Sequence, residues 1–447
     1  CSPWASPSVR RAELAAARRD GGVTHDSKLF LIFTSGTTGL PKASKITNLR
    51  MLAAGHMLDM AWQRLTPSDG IYCPLPLSHA SGGMLGIGAA IRWRCRFIVR
   101  SKFSLRSFAT DCVTHNVTVV QYIGELARYL ASKPEDPREK DLGIRVAMGN
   151  GLRPDVWEKF QKRFGVEQII EFYASSEGNA SLVNNTGKVG AIGFVPNILT
   201  KIYPVKIFRY DQDADELVRD AATGLCVEAK AGETGQVMGL IKDDDPSRRF
   251  DGYTDKKATA KKVARDVAAA GDAWFCSGDL LKKDDAGFFY WVDRIGDTFR
   301  WKGENISTAE VEGTLAGFPA VADANVYGIE IPGADGRAGC ARLNFSAPID
   351  EVDLAALYAH LIKNLQKAAL PAFFRTPLAP VHSNGAAAKH LTATFKHKKT
   401  QLRKEGYDLQ TAAAGGDAVY VRDDGRKTYR RCTPEDAAKV ARGELKL

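Results

Sequence analysis

The 447 residues contain no apolar run near the ~20 residues that a membrane-spanning helix needs, and even stretches such as MLGIGAAI at Met84 to Ile91 are short. No transmembrane helix is therefore encoded. There is no C-x-x-C pair and no His/Cys cluster at zinc spacing. Cys1, Cys73, Cys95, Cys112, Cys226, Cys276, Cys340 and Cys432 lie scattered and read as reduced core residues of an intracellular protein. Tandem repeats are absent, as is the Walker pattern of adjacent Lys and Ser/Thr after a longer Gly–Gly gap. The first 24 residues lack the apolar region of a signal peptide, so residues 1–26 read as a disordered leader or the stump of a longer chain. Acidic residues are outnumbered, 52 against 62 Lys and Arg, and the net charge of +10 favours anionic partners without choosing among them.

The remaining composition, 44% hydrophobic and 26% charged, is that of an ordinary globular protein long enough for two or three domains. One stretch carries the strongest chemical signal. In LIFTSGTTGLPK, from Leu31 to Lys42, an apolar strand runs into a loop with Thr34, Ser35, Gly36, Thr37, Thr38 and Gly39, closed by Lys42. Glycines let backbone N–H groups turn toward an anion, hydroxyls add donors, and lysine supplies a mobile positive charge. This is the composition of a phosphate cradle; a Ser/Thr-rich hairpin between two strands is the plainer alternative.

Between Ser27 and about Ala174, β-rich runs alternate with helical patterns, which predicts an α/β fold with a mainly parallel sheet layered by helices. SKLFLIFT reads as the first strand, NLRMLAAGHMLDMAW as a helix capped by Asn48, and Pro154 as the first turn of another helix. Ligands in such folds sit beyond the carboxyl ends of strands, so the loops after Thr34, Pro76, Met148 and Tyr173 matter most. From about 187 to 292, short strands and turns predict a small β-rich subdomain carrying a charged insertion at 242–271. After Arg294 a new α+β pattern begins. The expected division is a large domain over 27–294 and a C-terminal α+β domain over 295–447.

Several of these loops carry chemistry. In YASSEG, Tyr173 is suited to stack on a purine, Ser176 to reach a phosphate and Glu177 to hold magnesium between phosphates, with a surface turn as the alternative. Gly149, in GNGLRP, allows a flat ring close to the backbone. Asp279, in WFCSGDL, is suited to accept hydrogen bonds from ribose hydroxyls. Arg294, at the joint between textures with Gly296 and Gly303 nearby, suggests a ligand contact and a hinge.

In this order, FTSGTTGLPK, YASSEG, SGDL and DRIGD resemble the acyl-adenylate-forming (AMP-binding) enzyme superfamily. PLPLSHASGG, GNGLRPDVW, DRIGDTFRWKGENISTAEVE, VYGIEIPGADGRAG and TATFKHKKTQLRKEGYDL extend the resemblance to the fatty acid transport protein and very-long-chain acyl-CoA synthetase branch, over nearly all of the chain from residue 27. The resemblance implies ATP-dependent ligation of long- or very-long-chain fatty acids to coenzyme A through an acyl-AMP intermediate, coupled to fatty acid uptake. Its alternatives are a non-catalytic membrane-associated uptake component and a degenerate paralogue. It further implies that Thr34, Ser35, Gly36, Thr37, Thr38, Gly39 and Lys42 hold the β- and γ-phosphates. Glu177 would hold Mg2+, Tyr173 flank adenine, and Asp279 and Arg294 hold ribose. Lys396, on a mobile C-terminal lid, would bridge carboxylate and α-phosphate, and His79 would lie beside the acyl group. Gly82, Gly83, Gly86 and Gly88 fit an alkyl groove or close packing equally well.

The expected partners are fatty acid, ATP, coenzyme A and a membrane surface, rather than nucleic acid. From Lys389 to Arg431, eleven Lys and Arg face five Asp and Glu, suited to coenzyme A phosphates or anionic headgroups. The complete protein is expected on the endoplasmic reticulum, peroxisome or plasma membrane. Ala174 and Ser176 stand where the branch has glycine and threonine, and residues 383–391 read as an insertion before Lys396. Family members carry a substantial subdomain ahead of the phosphate loop. Here about 30 residues precede it, so the resemblance implies an N-terminally truncated chain.

Overall fold

The computed structural model describes residues 22–34, 42–57, 65–100, 103–212, 214–245, 248–334, 336–378 and 399–444. Among the described residues, five sheets follow one another along the chain. The first is a pair, β1 (Lys28–Thr34) and β2 (Lys42–Thr47), antiparallel with Thr34 opposite Lys42. This corrects the expectation that Lys28–Thr34 opens the parallel sheet. The short connection returns the chain beside itself, and antiparallel pairing is the arrangement a short link permits. Only one face of β1 is buried, through Ile32 against Ile46 and Met84, while Leu29, Leu31 and Phe33 remain 48%, 44% and 62% exposed.

The second sheet holds β3 (Gly70–Cys73), β4 (Arg96–Val99), β5 (Val119–Ile123), β6 (Val146–Asn150), β7 (Gln168–Tyr173) and β8 (Leu182–Asn184), in the order β4-β3-β5-β6-β7-β8. Every neighbouring pair is parallel except β7 with β8. Apolar residues fill both faces because both are covered. On one side Val120, Ala147 and Ile169 pack with the helices Phe108–Thr114, Gly124–Ser132 and Pro154–Arg163. On the other, Val119, Val146 and Ile170 meet Ala89 and Ala90 of the helix Ile87–Trp93. The helix Asn48–Gly55 is capped by Thr47, whose hydroxyl accepts from the Arg50 N–H at 3.3 Å; Asn48 is its first residue, not its cap.

The third sheet is antiparallel: β9 (Gly193–Phe194), β10 (Val205–Asp211), β11 (Glu216–Leu217), β12 (Thr234–Leu240), β13 (Val263–Arg265), β14 (Ala273–Lys283) and β15 (Phe288–Arg294). The charged stretch 242–271 is woven into it rather than inserted. Its β13 pairs with β14, and Tyr253 bridges to Ser44 of β2. A hairpin, β16 (Phe299–Trp301) and β17 (Glu304–Ile306), precedes the last sheet, β18 (Val321–Glu330), β19 (Arg337–Phe345), β20 (Phe373–Pro377), β21 (Asp417–Asp423) and β22 (Thr428–Arg431).

The two sides of Arg294 are stitched by polar contacts. Buried Asp293 accepts from the Thr308 N–H at 2.6 Å and from its hydroxyl at 3.0 Å. Thr308 opens the helix Thr308–Ala316, and its hydroxyl takes a hydrogen bond from Lys399 at 2.6 Å. On the C-terminal side itself, Arg403 pairs with Asp297 at 2.8 Å.

Candidate functional site

β1 and β2 pair up to the mouth of the 35–41 loop, where the Thr34 hydroxyl donates to the Lys42 carbonyl at 3.2 Å. Ser35, Gly36, Thr37, Thr38 and Gly39 lie outside the described residues, as do Lys396 and the segment 383–391. The hairpin alternative describes the flanking strands correctly, and it is compatible with a cradle between them. Residues 252–254 run along the other edge of β2: the Lys45 N–H donates to Gly252 and the Thr254 N–H to Ala43, at 3.1 and 3.0 Å. This brings Tyr253, 3% exposed, under the hairpin. Its hydroxyl donates to Glu177 Oε1 at 2.8 Å, and the Lys42 ammonium lies 5.5 Å from its ring centroid. Burial, reinforced by the Glu177 charge, raises the Tyr253 hydroxyl well above the ordinary tyrosine range, and a hydrogen bond from Thr34 opposes that rise.

Glu177 sits on the loop that leaves β7, and Arg50 fixes that loop. Arg50 Nη2 donates to the Ser176 and Gly178 carbonyls, each at 2.8 Å, and Nη1 to the Glu177 carbonyl at 3.4 Å. Desolvation lowers the Arg50 pKa; Asp251 and Glu177 favour its charge. The Ser44 hydroxyl adds a bond to the Ser176 carbonyl at 3.3 Å. Gly178 is required for packing, because a Cβ there would enter the Phe275 ring. Ala174 is exposed.

At the start of the same loop, the Tyr173 hydroxyl donates to Asp279 Oδ2 at 2.7 Å. Asp279 is cross-strand partner to Arg294, whose Nε lies 3.6 Å from its Oδ1. Gly278, with φ +83°, turns β14 just before Asp279, a conformation that glycine adopts without Cβ strain. Trp291 flanks Tyr173, their ring centroids 6.3 Å apart. The sequence-selected residues thus gather in two linked groups: Thr34, Lys42 and Glu177, and Tyr173, Asp279 and Arg294.

Gly149 and His79 are placed differently. Gly149 lies within β6, and a Cβ there would collide with the carbonyl oxygen and ring of Tyr122. His79 precedes a π-helical turn, Ala80–Gly86, and its carbonyl accepts from Gly83 at 2.7 Å. A Cβ on Gly82, Gly83, Gly86 or Gly88 would meet Pro76, Leu77, Gln121 or Gly55, so packing consumes these glycines.

Sequence reasoning passed over three residues: Tyr253, Arg50 and Glu171. Glu171 is buried in β7 two positions before Tyr173, takes a 2.5 Å bond from Tyr122 and one at 3.0 Å from the Leu152 N–H, and thereby ties the 151–152 loop to β7. Burial pushes its carboxyl up to about 8, against the opposing pull of those donors and of the Gly151 N–H. A charged residue amid the apolar run QIIEFY was the available signal. Tyr253 lay in a stretch read as an insertion, and nothing local marked it.

The donor set fits a metal-bound polyphosphate. Glu177 offers a hard carboxylate, Lys42 a cation and Thr34 a hydroxyl, which are the groups that Mg2+ and phosphate oxygens take. Residues 4–228 match the AMP-binding enzyme family, and the chain belongs to that family. It is 44% identical over 405 residues to long-chain fatty acid transport protein 1 of Homo sapiens, covering 90% of this chain and 60% of that protein. It is 39% identical over 427 residues to long-chain fatty acid transport protein 5 of Homo sapiens, covering 95% and 59%. The chain therefore spans about three fifths of the length of these relatives. Its fold is shared with O-succinylbenzoate coenzyme A synthetase from Bacillus subtilis, solved in complex with ATP and magnesium ion, at a TM-score of 0.63 and 23% identity over 86% of this chain and 71% of that one.

Proposed function

We propose that the chain activates long- or very-long-chain fatty acids with ATP and passes the acyl group to coenzyme A. The observation that carries this reading is the convergence of Thr34, Lys42 and Glu177 around one buried tyrosine, with Tyr173, Asp279 and Arg294 at the other end of the 173–178 loop. Asp279 and Arg294 hold the ribose, the Tyr173 and Trp291 rings border the base, and the cradle 34–42 takes the β- and γ-phosphates. Glu177 would hold Mg2+, and the ion would supply positive charge against the triphosphate. A fatty carboxylate oxygen attacks the α-phosphorus and pyrophosphate leaves; the coenzyme A thiolate then attacks the acyl carbon and AMP leaves. The protein's task in the first step is to align two anions and screen their repulsion. Lys396 serves that task from the C-terminal region, which moves about a hinge at 294–297 as a lid, and His79 lines the acyl side.

The relatives' name, long-chain fatty acid transport protein, and the basic Lys389–Arg431 segment support peripheral attachment to a membrane as part of the same reading. Among the described residues no helix is long and apolar enough to cross a membrane. Fatty-acid-dependent pyrophosphate release tests the reaction. Lys396→Ala is expected to lower it about 10²–10³-fold while ATP still raises the melting temperature, and Glu177→Gln to lower both. Absence of release from the wild-type chain, with fatty acid uptake unchanged in both variants, would favour a non-catalytic uptake component.

A further inference from the structure

Two opposite charges assigned to the nucleotide sit on different parts of one ring system. Glu177 accepts the Tyr253 hydroxyl at 2.8 Å, while Lys42 rests toward the ring face at 5.5 Å from the centroid. No ion pair joins Lys42 to Glu177 among the described residues. Without the tyrosine, a lysine and a carboxylate reaching for the same phosphates would be drawn into such a pair, and each would then have to be pulled from the other before meeting its ligand. A phenol resolves that conflict. Its O–H donates to the anion and its π face attracts the cation, so both charges are directed and neither is cancelled.

Tyr253 is also held firmly enough to act as such a spacer. Its backbone bridges Ser44 of β2, and its N–H donates to the Thr259 hydroxyl at 2.9 Å. Gly252, at φ +65°, brings the chain so close to Thr259 that a Cβ would overlap the threonine methyl. Asp255 caps the short helix that carries Thr259, accepting from Lys257 and Ala258 at 2.8 and 3.2 Å. The ring therefore has a fixed base, while its two partners come from β2 and from the loop clamped by Arg50.

We infer that Tyr253 is a positioning residue for the metal-bound triphosphate, holding Glu177 by one carboxylate oxygen so that the other faces the cation, and holding Lys42 away from Glu177. The inference rests on the nucleotide reading above and adds a residue to it. It predicts a dependence on Mg2+ that a merely structural tyrosine would not control.

Calorimetric titration of ATP over a range of Mg2+ concentrations tests this on wild type, Tyr253→Phe, Glu177→Gln and the double variant, with melting temperatures recorded for each. Tyr253→Phe keeps the ring and removes the donor; it should raise the Mg2+ concentration for half-maximal tightening of ATP about tenfold, the scale of one charge-assisted hydrogen bond. Affinity for ATP without Mg2+ should change less than twofold. Glu177→Gln should abolish the Mg2+ dependence, and Tyr253→Phe should add nothing to it. A folded Tyr253→Phe with the wild-type Mg2+ midpoint overturns the inference, as does a shift that persists in the Glu177→Gln background. If Tyr253→Phe does not fold, Tyr253→His, which retains a ring and a donor, takes its place: a midpoint nearer to wild type than to Glu177→Gln supports the inference, and Mg2+ dependence lost as in Glu177→Gln overturns it. ATP binding that ignores Mg2+ in the wild type sinks the role of Tyr253 and leaves a nucleotide site standing, whereas no ATP binding at any Mg2+ concentration removes both.

Discussion

Buried guanidinium groups do opposite work in the two halves of this chain. Arg50 spends its donors on three consecutive carbonyls of the 176–178 loop, and burial depresses its pKa. Arg375, buried in the last sheet, gives Nη1 to Glu405 at 2.7 Å and lies 3.3 Å from Asp417. Arg342 shares the Asp417 carboxylate through two bonds of 3.0 Å. In the C-terminal region charge is consumed by countercharge, which fixes the helix Lys399–Glu405 onto β20. Around the 176–178 loop the guanidinium is spent on backbone carbonyls, and the Glu177 carboxylate takes its hydrogen bond from Tyr253. A buried arginine by itself therefore says nothing about function; what it donates to decides whether a carboxylate remains for a ligand.

The sharpest break in this contrast is Arg375→Ala. It takes the arginine partner from Glu405 and leaves the buried Asp417 to Arg342 alone, and should cost about 3–5 kcal/mol in denaturant unfolding, the scale for removing one member of a buried ion pair. Replacing Arg375 and Glu405 together by apolar residues should restore part of that loss; failure to restore any would place the effect in packing instead.

Next in size is the pH response of Glu171, a buried carboxyl with no cation beside it among its hydrogen-bond partners. The folded chain keeps its proton up to about pH 8, whereas the unfolded chain releases it near 4.5. Between these values the folded state binds more protons. Its stabilisation is present below 4.5 and is lost as pH rises toward 8, about 4 kcal/mol across that window. Chemical denaturation at pH 5 and pH 8 should show this fall, and Glu171→Gln should flatten it; an unchanged slope in that variant assigns the pH dependence elsewhere.

Smallest is Arg50→Lys, which retains the charge but cannot span three carbonyls. About 1–2 kcal/mol of stability should be lost, together with most of the rise in melting temperature that ATP gives the wild type. Full retention of that rise would show that the clamp serves the fold alone.

The parallel sheet was legible because its strands are buried on both faces and read as apolar runs such as VTVVQYI and IRVAM. β1 misled for a related reason: Leu29, Leu31 and Phe33 give it apolar residues on both sides, although one side stays in solvent. Tyr173, Asp279, Arg294, Lys42 and Glu177 were legible as motifs, since chemistry restricts their types and local neighbours. Gly149 was legible as a glycine but not in its reason, which is the Tyr122 ring packed against it. The charged stretch 242–271 read as an insertion, yet Tyr253 and Ala258 within it are buried.

By itself the sequence determined the family, the succession of strands and helices, and the order in which the motif-bearing loops appear, because periodicity and short motifs are properties of neighbours along the chain. Tertiary structure alone decided that residues 34, 42, 177 and 253 share one place, that Arg50 holds the loop between two of the motifs, and that Glu171 joins two more. These are contacts between segments up to more than two hundred residues apart. Such contacts depend on the register of β2 against residues 252–254 and on the depth of burial at β7, quantities that no local pattern encodes.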